Sequence, residues 1–375
     1  MKRFAHAHAT GSDWRSICDS LLEQLADRQP DKHWGRLAFI YADHSLAGDG
    51  DRILDYLRNH TGIPHWVGTV GLGLCSTGRE TYEEAAIAVL VTDWDEDDFR
   101  VLPGIDQDPG AALAANADWR TRTLATFAVT HGDPGNAHTP ELIEALAQGL
   151  EGGYLVGGLT SSEGLQAQFA DTVTGGGISG VLLSGKLKLA TGLSQGCSLI
   201  GRKHTITACQ RNIIQTLDDR PALDVLKEDI GEILARDLSR IGGYIFAALP
   251  IPGSDTGDYL VRNLVGIDPN EGMVAIGDLP QVGMNLQFAK RDAQTARDDL
   301  VRMVRKVKAR IDGEPKGALY HSCLGRGRHL FGDDSEELKL IQQELGDVPL
   351  VGFYANGEIS HHRLYGYTGV LTVFS

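Results

Sequence analysis

The chain has 375 residues, 42% of them hydrophobic and 23% charged, and a formal net charge of −15. It is long enough for two domains, and the acid excess excludes the cationic surface that nucleic-acid binders need and opposes an anionic membrane. No apolar run approaches the roughly 20 residues of a membrane span, and the start Met1-Lys2-Arg3-Phe4 opens no signal-type apolar region, so a cytoplasmic protein is expected.

In chain order, Trp14, Ile17, Leu21 and Leu25 form one stripe and predict a helix over 13–26. A first unit follows: a buried strand over 37–41, a helix over 51–59 with Ile53, Leu54 and Leu57 on one side, and a strand ending at Gly68. It continues through the loop Cys75-Ser76-Thr77-Gly78-Arg79-Glu80 and closes with the apolar strand 86–91. A second unit repeats this order with strand 125–130, a helix opened by Thr139-Pro140, the pair Gly157-Gly158, a loop 161–164 and strand 180–183. Helix 222–241 and a one-faced helix over 292–311 come next, separated by strand-like runs over 244–276 that read as a degraded fourth copy. The third unit has strand 318–323, a helix announced by Asp334-x-x-Glu337 as a capping box, strand 348–352, Gly357-Glu358 and strand 368–374.

In the first and third units the helix-ending glycine (Gly62, Gly346) stands six residues before the glycine of a Val-Gly pair (Gly68, Gly352); in the second, Gly152 stands five before Gly157. Such periodic self-similarity predicts an internal repeat. The expected fold class is α/β, a layered mixed-sheet architecture of repeated strand–helix–strand–strand units in two related domains, residues 1–217 and 218–375.

The chemistry concentrates in Cys323-Leu324-Gly325-Arg326-Gly327-Arg328 and in the later turn Asn356-Gly357-Glu358. Arginine offers a fixed fork of donors for a carboxylate or phosphate, and a thiol beside cations is favoured as thiolate. The expected ligand-binding set is Cys323, Arg326, Gly327, Asn356, Gly357 and Glu358, joined by Cys75, Ser76, Gly157 and Gly158 from the other units. Glu80 and Glu163 are expected to take the place of Glu358 in the first two units. Five cysteines, widely spaced and without a Cys-x-x-Cys pair, read as free thiols. His6-x-His8 and His361-His362 have no metal-type spacing, so neither a metal nor a cofactor is expected.

With these residues in view, the chain resembles the FIST family of sensory modules with a FIST N-terminal and a FIST C-terminal domain. The landmarks are Cys75-Ser-Thr-Gly78, Gly157-Gly158, Gly196-Cys197-Ser-Leu-Ile-Gly201 leading to Pro221, and Cys323-Leu-Gly325-Arg326-Gly327 with Gly352-Phe353 and Gly357-Glu358. Leu324 and Leu199 depart from the residues usual in the family. The resemblance implies a stand-alone sensor of signal transduction that binds a small ligand, an amino acid being the natural choice, and passes its signal to a protein partner or a homo-oligomer. In that reading Arg326 holds the ligand carboxylate and Glu358 its ammonium. Two alternatives stand beside it. One is a thiol-dependent enzyme with Cys323 as nucleophile and His321 or His131 as base; the other is a protein-interaction scaffold.

Overall fold

The computed structural model of the protein describes residues 3–28, 35–251 and 259–375. The first copy of the repeat runs β1 (Ala5–Thr10), α1 (Trp14–Arg28), β2 (Leu37–Asp43), α2 (Gly50–Thr61), β3 (His65–Gly71), the hairpin β4 (Gly73–Ser76) and β5 (Arg79–Tyr82), and β6 (Ala86–Val91). The second runs β7 (Phe99–Ile105), α3 (Gly110–Ala115), α4 (Ala117–Thr123), β8 (Phe127–Gly132), α5 (Thr139–Gly149), β9 (Tyr154–Leu159), the hairpin β10 (Gln168–Ala170) and β11 (Thr172–Thr174), and β12 (Ile178–Leu183). The third opens with β13 (Leu189–Gln195) and is then interrupted.

The interruption carries β14 (Cys197–Gln210), β15 (Ile213–Leu217), β16 (Arg220–Pro221), α6 (Ala222–Ala235), β17 (Ile245–Pro250), β18 (Tyr259–Asp268), β19 (Met273–Ile276) and β20 (Asn285–Arg291). The third copy resumes with α7 (Ala293–Arg310), β21 (Gly317–Cys323), α8 (Arg328–Phe331), α9 (Glu336–Leu345), β22 (Leu350–Ala355), the hairpin β23 (Glu358–His361) and β24 (Arg363–Tyr365), and β25 (Thr368–Phe374).

Each copy builds a six-stranded mixed sheet of the same order: β1-β6-β2-β3-β10-β11, β7-β12-β8-β9-β23-β24 and β13-β25-β21-β22-β4-β5. The central pairs β2–β3, β8–β9 and β21–β22 are parallel, joined through a helix, and every other pairing in these sheets is antiparallel. The last two strands of each sheet are a hairpin lent by another copy. The first copy lends β4–β5 to the third, the second lends β10–β11 to the first, and the third lends β23–β24 to the second. The exchange is cyclic, so each sheet is complete only with its neighbour's hairpin.

The registers place the central strands of the copies in residue-by-residue correspondence. Ile40 lies opposite Gly68, Thr130 opposite Gly157 and Tyr320 opposite Gly352. A Cβ on any of the three glycines would sit 1.6, 1.8 or 1.7 Å from the carbonyl oxygen of that opposite residue. Only glycine fits there, which is why the Val-Gly spacing repeats in the sequence. One residue earlier in the first strands and one earlier in the second, Phe39, Val129 and Leu319 with Val67, Val156 and Val351 form a common core drawn from all three copies.

Packing groups the chain into residues 1–195 with 297–375, and residues 196–296. The second unit is a seven-stranded antiparallel sheet, ordered β14-β20-β17-β18-β19-β15-β16, covered by α6 through Leu223, Val225 and Leu226 against Ile206, Leu217 and Phe288. It is an insertion between the edge strand and the helix of the third copy. The runs over 244–276 therefore belong to this antiparallel sheet and are not a fourth copy of the repeat. Nor do the compact units part at 217/218: β13 lies before the insertion yet pairs with β25 at the end of the chain.

Candidate functional site

Side chains alternate across a strand, so odd and even positions of β21 serve different sides of its sheet. Leu319 turns to the common core with Val351 and Phe353 of β22. Tyr320 and Ser322 turn to the opposite side, toward α9. The expected binding residues divide along this line.

On the α9 side, Arg326 is fully buried and its Nε donates to Glu337 at 2.8 Å. Glu337, also fully buried, accepts in addition from Tyr320 Oη at 2.7 Å, Ser322 Oγ at 3.1 Å and the Gly327 backbone N–H at 2.8 Å. The Arg326 guanidinium lies 5.0 Å from the Phe331 ring centre and reaches toward Ser194. Asp334-x-x-Glu337 is consequently not a capping box: Ser335 is the N-cap, without a side-chain cap bond, and Glu337 points inward as the counter-ion of Arg326. Cys75, opposite Gly352, joins this side, where burial and then the charge of Glu337 push its thiol up. Burial and the same charge raise the Glu80 carboxyl to about 7. Arg326 thus has its carboxylate inside the protein, which removes the expected bond from Arg326 to a ligand carboxylate.

On the core-facing side, a second cluster sits at three equivalent positions. Tyr41, His131 and His321 each follow the residue that faces the invariant-geometry glycine of their copy. All three are fully buried, and Tyr41 Oη lies 2.9 Å from His321 Nε2 and 3.3 Å from His131 Nε2. Phe353 stacks on Tyr41 at 5.3 Å and meets both imidazoles edge-on or tilted. Gly158 explains itself here, since a Cβ on it would stand 2.6 Å from Ala355 and 3.3 Å from Phe353. Burial lowers the His321 pKa to about 3, and burial with the neighbouring imidazole lowers that of His131. Both rings are neutral. Tyr41 has one proton to donate, so one imidazole accepts it and the other donates to the phenol oxygen. As bases, both are shielded from solvent.

Two residues further along each strand come Asp43, Asp133 and Cys323, again equivalent. Asp43 accepts from the Ser45 N–H at 3.0 Å; Asp133 accepts from Gly135 N–H at 2.7 Å and Gly176 N–H at 2.9 Å. Cys323 Sγ takes the same i+2 bond from Gly325 N–H at 3.5 Å, with sulfur as a weak acceptor. The third copy therefore ends its strand on a thiol where the other two use a carboxylate.

Glu358 is the neighbour of that thiol. It pairs with Gly158 on β9, a register shared with Gln168 opposite Thr69 and Leu74 opposite Phe353. The equivalents of Glu358 are thus Leu74 and Gln168, not Glu80 and Glu163: Glu80 stands on the second strand of its hairpin and Glu163 is exposed in the loop before β10. Gln168 is fully paired, accepting from Ser179 Oγ at 2.6 Å and donating to Gly177 O at 3.0 Å. Glu358 is fully buried; its Oε2 accepts from Thr368 N–H at 3.1 Å and Thr368 Oγ1 at 2.7 Å, and its Oε1 has no partner beyond the weak thiol of Cys323. Burial raises the Glu358 carboxyl to about 8, while burial and then Glu358 push the Cys323 thiol up. Asn356 and Gly357 hold this corner through Asn356 N–H to Leu159 O at 3.0 Å and Leu159 N–H to Gly357 O at 2.8 Å. Asn356 is exposed and Cys323 half-buried, so the corner reaches solvent.

The structure therefore brings together Cys323, Asn356, Gly357, Glu358 and Gly158, and sets Arg326, Gly327 and Cys75 around Glu337 on the other side of the sheet. Ser76, opposite Val351, is buried on the core-facing side. Gly157 serves packing against Thr130. Glu337, Tyr41 and Thr368 were not among the expected residues. The sequence signal for Tyr41 was its register: the residue after Ile40 aligns with His131 and His321 once the glycines are matched.

Residues 36–220 match the FIST N domain and residues 222–361 the FIST C domain. The chain belongs to the FIST family. FIST domains are recognised as sensory domains in signalling, and this FIST protein contains both of them. It is 33% identical over 323 residues to an uncharacterized protein of Mycobacterium tuberculosis, covering 82% of this chain and 83% of the relative. An uncharacterized protein of Mycobacterium bovis is 31% identical over 326 residues, 83% of each chain. The match to the N domain ends and that to the C domain begins inside the insertion, so the family halves divide the chain differently from its compact units. Among the described residues, no helix of the FIST protein is long and apolar enough to cross a membrane.

Proposed function

We propose that this FIST protein is a cytoplasmic signalling sensor that reads a small polar ligand at the corner formed by Cys323, Asn356, Gly357 and Glu358, and passes the signal to a protein partner or to another copy of itself. One observation supports the reading above all. At the positions equivalent to Cys323 and Glu358, Asp43, Asp133 and Gln168 have hydrogen-bond partners, while the third copy leaves a buried carboxyl oxygen unpaired beside a half-buried thiol. A buried unpaired polar group costs about 1–3 kcal/mol, and a ligand group that pairs with it recovers that cost.

Arg326 is engaged by Glu337, so recognition of an amino acid would rest on this corner and its loop amides rather than on a two-charge clamp. Burial keeps the Cys323 thiol protonated, which favours a binding role over a nucleophilic one. The test is thermal melting of the full chain against a panel of amino acids and other small polar metabolites. A ligand at a hundred times its Kd should add about 2.7 kcal/mol to the wild type and nothing to Glu358→Ala. A panel that shifts neither protein, or both equally, refutes the assignment of this corner.

A further inference from the structure

We infer that the Glu358 corner takes an uncharged hydrogen-bond acceptor, the carbonyl of a carboxamide or ester, and that Glu358 meets it as a carboxylic acid donating from Oε1. The inference rests on the proposal that this corner binds the ligand, and adds what kind of group it grips.

The hydrogen-bond count leads there. Glu358 Oε2 already accepts two bonds, both from Thr368, at 3.1 and 2.7 Å. The guanidinium whose charge acts on Glu358, that of Arg326, is hydrogen-bonded to Glu337 and not to Glu358. Ionised, Glu358 would bury a negative charge with no cation in contact and with Oε1 nearly bare. As an acid it keeps both Thr368 bonds on Oε2 and carries its proton on Oε1, where a donor then stands without an acceptor. Burial moves the group in the same direction, to about 8.

The second copy supplies an internal comparison. Gln168 stands at the same register and is neutral by constitution; its oxygen accepts from Ser179 and its N–H donates to Gly177 O. The second copy thus holds an uncharged group with one accepting and one donating end at this position, where the first copy's hairpin has the apolar Leu74. In the second copy the donating end meets the protein's own backbone. In the third the chain offers it only the weakly bonding sulfur of Cys323, and an acceptor from outside would complete the pattern. Beside it, Cys323 offers a polarisable wall where the second copy has the hydrogen-bonded carboxyl group of Asp133.

Three isosteric probes separate the alternatives: propionamide, propionate and propylammonium, each observed by saturation-transfer NMR on the full chain. The expected result is transfer to propionamide at about pH 6.5, roughly thirtyfold weaker at about pH 9.5 where Glu358 has ionised. Glu358→Gln should keep the signal, since its carboxamide N–H still donates, and Glu358→Ala should lose it. Infrared difference spectra of wild type minus Glu358→Gln should show a protonated carboxyl band at the lower pH. Binding of propylammonium that strengthens as pH rises and disappears in Glu358→Gln would overturn the inference while leaving the corner a ligand site. Binding of no probe, or equal binding to wild type and Glu358→Ala, would overturn the inference and the assignment of the corner together.

Discussion

The Arg326–Glu337 pair gives the sharpest test of the third sheet. In Glu337→Ala a guanidinium with no solvent exposure keeps its charge and loses its counter-ion. The Gly327 N–H, Tyr320 Oη and Ser322 Oγ donors lose their acceptor at the same time. Removing one partner of a buried ion pair costs about 3–5 kcal/mol, because what remains is an uncompensated buried charge. At about 2–4 °C per kcal/mol for a unit of this size, the melting temperature should fall by roughly 10 °C. The neighbouring Glu336→Ala, whose side chain is 40% exposed and reaches Arg297 only at 3.5 Å, should change stability by less than about 1 kcal/mol. Urea unfolding of the single variants and of Arg326→Met with Glu337→Leu completes the cycle. The double variant should recover the part of the loss that comes from the bare charge, while the three donors stay without their acceptor, so it should be more stable than the summed singles predict. A loss below about 1 kcal/mol in Glu337→Ala, or a double variant as unstable as the summed singles, would refute the reasoning.

Other consequences follow from the same geometry. Gly68→Ala, Gly157→Ala and Gly352→Ala each drive a methyl into a backbone carbonyl and should abolish soluble expression, whereas Gly164→Ala, with open space around it, should melt within about 1 °C of wild type. His131 and His321 have folded pKa values below the unfolded value of about 6.5, so their contribution is full above that pH and is lost as pH falls toward the folded values. Melting curves should therefore steepen in their decline below about pH 6.5, and His321→Asn should flatten that decline. Glu358 has the opposite sign: its raised folded value gives stability that is present below about 4.5 and is lost as pH rises through about 8, a loss that Glu358→Gln should erase. Iodoacetamide at about pH 8 should leave Cys323 of the folded protein unlabelled and label it after denaturation; rapid labelling of the native thiol would revive the thiol-dependent enzyme.

Much of the repeat is legible in the amino-acid sequence. Alternation and apolar runs marked the central strands, and the recurring Val-Gly pairs marked the point where one strand crosses a carbonyl of the next. Cys323, Asn356, Gly357 and Glu358 were legible as one corner because both turns end adjacent strands of the same copy. The partner of Arg326 was hidden because Glu337 imitates a capping residue, and only the inward turn of α9 separates the two roles. The equivalence of Glu358 with Gln168 was hidden because loop spacing differs between copies while strand register does not.

Periodicity, glycine placement and charge are properties of neighbouring residues along the chain, so the sequence by itself determined the strand and helix types and the threefold repetition. Which copy receives each hairpin, on which side of the third sheet each polar residue falls, and that Tyr41 meets two imidazoles from other copies depend on registers between strands about 30 to 280 residues apart. Those registers are set by how three sheets close around one core, and only the tertiary structure decides them.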